Sequence, residues 1–212
     1  MRRQVLRSAA GVWTAVALLA GTAALLAQAP QGGAPAPGAG RGGGRGPQTP
    51  PLIMTTTAFE DGGVIPDKYT QAAGPTAGSP ALSWTQVPMG TQSFALIMHD
   101  PEPVLNKGSK MDITHWVIWN IPATATGLPE SVPPGELPDG SRQVSLRSNA
   151  YMGPGAPPGP YHHYTFELYA LDIKLDVPQG TPQQAADTRT AIVNAMDGHV
   201  LGKALLVGRF HR

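Results

Sequence analysis

Gly153-Pro154-Gly155-Ala156-Pro157-Pro158-Gly159-Pro160 runs directly into Tyr161-His162-His163-Tyr164-Thr165-Phe166-Glu167-Leu168-Tyr169-Ala170-Leu171-Asp172. The first half can join neither a helix nor a ladder, because proline lacks the N–H and clashes with a helical turn. The second half is rich in the aromatic and branched residues that strands favour. A stiff irregular loop is therefore expected beside a strand. Side chains alternate across a strand, so His162, Tyr164, Phe166 and Leu168 share one face, and His163, Thr165, Glu167 and Tyr169 share the other. The first face passes from polar at the loop end to apolar further in. Such a strand can line a pocket at its mouth and pack a core along its length. It can equally be a strand end whose histidines bond loop carbonyls.

Outward from this stretch the chain reads as short strands. Leu52–Phe59 is a first strand ending at Glu60-Asp61-Gly62-Gly63, and Ile65–Thr70 is an extended segment before a loop over 71–80. Ala81–Val87 alternates until Pro88 stops it. Gln92–His99 is apolar on both faces, as a central strand is. It runs into Asp100-Pro101-Glu102-Pro103, where each X-Pro step predicts a stiff extended turn carrying two carboxylates. Asp112–Pro122 is a second two-sided strand with His115 near its start, on the same predicted face as Trp119. Arg142–Asn149 is a short strand, and Lys203–Phe210 closes the chain. Thr181-Pro182-Gln183-Gln184 carries a capping box with proline at the first helical position. Behind it Ala185, Thr188, Ile192 and Met196 form one helical stripe, ended by Gly198. The expected fold class is all-β: an antiparallel β-sandwich with one C-terminal helix and long Pro/Gly-rich loops.

Composition narrows the function classes. The chain has 212 residues, a formal net charge of +1 and no cysteine. Disulfides and thiolate chemistry are thereby removed, and no Lys/Arg cluster in the domain marks a nucleic-acid binder. Residues 1–29 have a basic start, an apolar run and a small-x-small end at Ala27-Gln28-Ala29, the pattern of a secretory signal peptide. A periplasmic or secreted location is expected, with a membrane anchor as the alternative if the segment is uncleaved. Residues 30–51 form a Gly/Pro-rich linker whose only charges, Arg41 and Arg45, leave peripheral membrane contact open. Residues 52–212 form the domain.

Ordered blocks along that domain resemble the phosphatidylethanolamine-binding proteins (PEBP), specifically the bacterial Raf-kinase-inhibitor-like branch. The blocks are Phe59-Glu60-Asp61-Gly62, Ile65-Pro66, Tyr69-Thr70, Ser79-Pro80-Ala81-Leu82-Ser83-Trp84, Val87-Pro88, Gly90–Ile97, Asp100-Pro101-Glu102-Pro103, His115–Pro122, Gly153-Pro154, Pro157-Pro158, His162 and Tyr164. The resemblance implies a shallow anion pocket at one end of a β-sandwich. It assigns Asp100 to the family's Asp-Pro motif, His115 to the start of its central strand, and His162 and Tyr164 to its His-x-Tyr pair. Glu102 stands where the family commonly has a second aspartate, and Gly153 and Pro154 begin the rim. Two departures bear on pocket shape: the Asp-Pro-Glu-Pro motif is one residue tighter, and the rim loop is one residue longer.

Imidazole N–H groups, the Tyr164 hydroxyl and loop amides can donate to phosphate or carboxylate oxygens. Asp100 is expected to orient a histidine and keep it cationic, so anion binding should strengthen below about pH 6.5. The expected function is an exported, non-enzymatic binding module for a small anionic ligand such as phosphate or phosphoethanolamine, without cofactor. One alternative is an inhibitor or regulator of a partner protein such as a protease or kinase. Another is a hydrolase using a His/Asp dyad, with a metal variant built on Asp100, Glu102, His115 and His162.

Overall fold

The computed structural model describes residues 50–105, 107–108 and 112–212; the signal-peptide and linker expectations lie outside these residues. The strands are β1 (Ile53–Thr55), β2 (Gly63–Val64), β3 (Leu82–Thr85), β4 (Ser93–Asp100), β5 (Ile113–Pro122), β6 (Gly127–Leu128), β7 (Arg142–Val144), β8 (His162–Leu171) and β9 (Val200–Phe210). One α-helix, α1 (Ala185–Ala195), precedes β9. Two open sheets result, one ordered β1-β3-β6 and the other β2-β9-β8-β4-β5-β7. The protein is thus mostly strand with one C-terminal helix. The expectation of a wholly antiparallel arrangement is corrected at one edge, where β2 runs parallel to β9. The N–H groups of Gly62 and Ile65 donate to the Val207 and Arg209 carbonyls at 2.7 and 2.8 Å, which seats β2 along the edge of β9.

Several local expectations also change. The segment after Ile65 is not extended: Asp67–Tyr69 and Gln71–Thr76 form 3-10 turns, with Thr70 Oγ1 accepting from the Ala72 N–H. Asp100 belongs to β4 itself and pairs with Ile113, and Glu102–Leu105 is a 3-10 turn rather than an extended one. The Asp100 side chain favours this turn by accepting, at Oδ1, from the Glu102 N–H at 3.0 Å.

The large sheet is buried on both faces. Phe94, Leu96, Met98, Trp116, Ile118, Phe166 and Leu168 pack with Met54, Leu82 and Trp84 of the small sheet. Ala95, Ile97, Val117 and Trp119 pack on the other face with Ala185, Ile192 and Met196. This explains why β4 and β5 read as apolar on both faces. The α1 stripe is buried as its spacing predicts, and Gln184 Oε1 accepts from the Thr181 N–H at 3.2 Å. Gly198 follows with φ of 76°, the left-handed conformation a helix end needs. An ion pair of 2.5 Å between Arg189 and Asp112 ties α1 to the start of β5.

Two bulges in β5 decide which side chains reach which face. Met98 pairs with Trp116 while His99 pairs with Thr114, so His115 is an extra residue; likewise Asn120, with φ of 59°, is extra between Trp119 and Ile121. The first bulge breaks alternation, and His115 joins the face of Trp116. The expectation that Trp119 shares a face with His115 is therefore corrected: Trp119 lies under α1 and donates to the Val177 carbonyl at 3.2 Å.

Among the described residues no helix is long and apolar enough to cross a membrane. If α1 completes the second core, Ile192→Ala, at a fully buried position, should cost about 2–4 kcal/mol of unfolding free energy in a urea titration. A loss below about 0.5 kcal/mol would mean that the helix is not packed there.

Candidate functional site

Three strand ends converge at one edge of the first core. β4 ends in Asp100, the bulge of β5 delivers His115, and β8 begins with His162 and Tyr164. Together they line a cleft of about 570 Å³ whose remaining wall includes Gln71, Arg147, Met152 and Gly155–Pro157. A larger hollow, about 760 Å³, lies at the C-terminal end of α1, but among the described residues its lining has no histidine, lysine or arginine.

Asp100 is only 2% exposed. A carboxylate so placed requires partners, and His162 Nδ1 lies 2.8 Å from its Oδ2. With Nδ1 donating, the other ring nitrogen of His162 is left for the cleft. Burial pushes the Asp100 carboxyl above the usual carboxylate range, against the bond from His162. Burial and then the neighbouring Asp100 carboxylate push the Tyr164 phenol well above its ordinary value, so it keeps its proton. Its oxygen accepts from the N–H groups of Gly155 and Ala156 at 3.2 and 3.1 Å. Two rim amides expected to serve a ligand are thus engaged by Tyr164, which fixes the rim loop instead.

The same loop is held from outside by Gln71, whose N–H donates to the Pro154 carbonyl at 2.8 Å and whose Nε2 donates to the Gly153 carbonyl at 2.9 Å. Gly153 is required by this approach, because a Cβ would lie 2.6 Å from the Tyr69 carbonyl oxygen. Pro154 is buried behind the rim, and neither residue lines the cleft.

His115 is 3% exposed and packs edge-on against Tyr164, with ring centroids 5.0 Å apart. Its Nδ1 lies 3.0 Å from the Met152 carbonyl, which can only accept, so Nδ1 carries the proton. Burial lowers its pKa from 6.5 to about 4. At neutral pH its remaining nitrogen is an acceptor. The expectation that acid below about pH 6.5 would charge this ring is corrected by its burial.

Glu102 turns away from the cleft toward β8. Its Oε1 lies 2.6 Å from His163 Nδ1 and its Oε2 accepts from the His163 N–H at 3.0 Å. Burial pushes its carboxyl up, but the bonds from His163 and Asp100 outweigh this and hold it below the usual range. Asp100, Glu102 and His162 do bring one ligand atom each within 4.8 Å of one another, a spacing a cation could bridge. Both carboxylates there are already engaged by imidazoles.

Sequence reasoning missed Gln71 and Arg147. Arg147 is exposed at the rim, lines the cleft, and its charge contributes to holding the His115 pKa down. Neither residue sits in a motif; only the folded loops bring them here.

His115 generates a pH prediction. An unfolded imidazole takes its proton near pH 6.5 and the folded one near 4. Between these values the unfolded state binds more protons, so stability should be complete above about pH 6.5 and fall as pH drops toward 4. The fall due to this group is at most about 3 kcal/mol. Denaturant titrations of the wild type and His115→Gln across this window should differ by that slope; parallel curves would contradict the buried neutral imidazole.

A model of the family "Phosphatidylethanolamine-binding protein" matches residues 55–211. A "UPF0098 protein" of Methanothermobacter thermautotrophicus is 46% identical over 164 residues, 76% of this chain and 99% of the relative. The crystal structure of a Chlamydia trachomatis homolog of phosphatidylethanolamine-binding protein superposes with a TM-score of 0.61 at 28% identity, covering 76% of this chain and 98% of that one. Escherichia coli YbcL gives a TM-score of 0.63 at 25% identity over the same shares. With a family model covering most of its length and a near full-length relative at this identity, the chain belongs to the phosphatidylethanolamine-binding protein family.

Proposed function

We propose that the cleft binds a small phosphate-bearing ligand without transforming it, and that the protein does so outside the cytoplasm. The observation that carries this reading is the unequal pair of histidines at one cleft. His162 is held through Nδ1 by a buried carboxylate, which leaves its other ring nitrogen facing the cleft. His115 is neutral, with an acceptor nitrogen. Arg147 adds a permanent cation at the rim.

A monohydrogen phosphate or singly protonated phosphomonoester matches this set. Its oxyanions accept from His162 and Arg147, and its P–OH donates to His115. A fully deprotonated group would leave the His115 acceptor facing another acceptor.

Binding is favoured over catalysis by what lines the cleft. Among the described residues its lining has no serine, threonine, cysteine or lysine, and the one hydroxyl there, on Tyr164, retains its proton and serves the rim. The basic start and apolar run of residues 1–29 support the extracytoplasmic location.

The test compares inorganic phosphate with sulfate, which has no proton to donate near neutral pH. Calorimetric titration of the full chain at pH 7 should give phosphate the tighter binding by roughly tenfold, the worth of about one hydrogen bond. His162→Ala should weaken phosphate binding at least tenfold. Equal affinities for the two anions, or phosphate binding indifferent to His162→Ala, would refute the assignment.

A further inference from the structure

Beyond the rim of the anion cleft lies a second hollow of about 430 Å³. The two are not separate features, since Gln71, Arg147 and Met152 line both. The second hollow adds Arg212, Ser148 and the backbone of Gly153. It therefore brings two arginines, Arg147 and Arg212, to one concave surface.

Neither arginine forms an ion pair with an Asp or Glu among the described residues. Other cations on the surface are paired: Lys68 with Glu130, Lys203 with Glu167 and Arg189 with Asp112. Two like charges facing one hollow repel each other. Ser148 supplies a hydroxyl on the same wall with no partner seen among the described residues. Planar guanidiniums with free N–H groups beside a hydroxyl suit an oxyanion, which also removes the repulsion.

We propose that this second hollow is an anion subsite, and that the natural ligand carries two anionic groups joined by a short linker. One group, a phosphate, sits in the His162–His115 cleft. The other, a phosphate or carboxylate, is held by Arg147 and Arg212, with Gln71 and Met152 beneath the linker. This inference rests on the anion reading of the first cleft. It adds the ligand's class: a bisphosphate or phosphocarboxylate, either as a soluble metabolite or as a lipid headgroup.

Arg212 lines only the second hollow, which makes Arg212→Gln the clean variant. It is exposed, so folding does not depend on it. In the full chain, 1,4-butanediol bisphosphate should bind at least tenfold more tightly than inorganic phosphate. Arg212→Gln should abolish most of that advantage while changing the phosphate affinity less than twofold. Phosphatidylcholine vesicles with and without phosphatidylinositol 4-phosphate, whose headgroup joins a phosphomonoester that can keep one proton to a phosphodiester, separate the two sources. Binding to the phosphoinositide vesicles that falls with Arg212→Gln places the two anions on a membrane, and a response to the soluble bisphosphate alone places them in solution. A bisphosphate no tighter than phosphate, or an advantage that survives Arg212→Gln, overturns the second subsite and leaves the first intact. Failure of phosphate itself to bind overturns both.

Discussion

The site depends on one buried carboxylate. Asp100 ends a central strand at 2% exposure, where a charge is tolerable only if neighbours replace water. His162 does so at 2.8 Å and the Glu102 N–H at 3.0 Å. The consequences spread outward from this group. It fixes which nitrogen His162 turns to the cleft, and it helps keep the Tyr164 hydroxyl protonated. Tyr164 in turn gathers the rim loop by two amides. A single unfavourable charge thereby orders a histidine, a phenol and a loop.

The second constraint is geometric. A two-sided sheet would normally send successive β5 side chains to opposite cores, which would put His115 beneath α1 with Val117 and Trp119. The bulge at His115 adds one residue and returns the imidazole to the face of Tyr164. Its depressed pKa follows from that placement, because the bulge sets the ring behind the rim against Met152. The opposite face of the same strand ends is left to anchor the helix, through Asp112 and Arg189.

Much of this was legible in the chain. Period-two alternation places Tyr164, Phe166 and Leu168 in the core with His162 at the mouth, and the α1 stripe of Ala185, Thr188, Ile192 and Met196 is buried. The strand-end residues Asp100, His115, His162 and Tyr164 come together at one cleft. What alternation could not supply is anything that interrupts it: the bulge at His115 moved that imidazole off the face of Val117 and Trp119, and the bulge at Asn120 returned Ile121 to the first core. Nor does a motif specify where a side chain turns. Glu102 bonds His163 from the start of the 3-10 turn Glu102–Leu105, and the loop amides go to Tyr164 rather than outward. Arg147 and Gln71 were invisible because they sit in irregular loops whose meeting is decided only by long-range packing. The parallel pairing of β2 with β9 joins residues about as distant in sequence as the domain allows, and no local pattern announces it.

The most direct measurement is a crystal structure of the protein grown with inorganic phosphate near pH 7. The account predicts one phosphate within hydrogen-bonding distance of the His162 ring nitrogen that faces away from Asp100 and of the Arg147 guanidinium. The His115 nitrogen not bonded to Met152 should lie against the same ion, with the Asp100–His162 bond intact. A phosphate seated elsewhere, or a His162 ring turned away from Asp100 to meet it, would contradict the account.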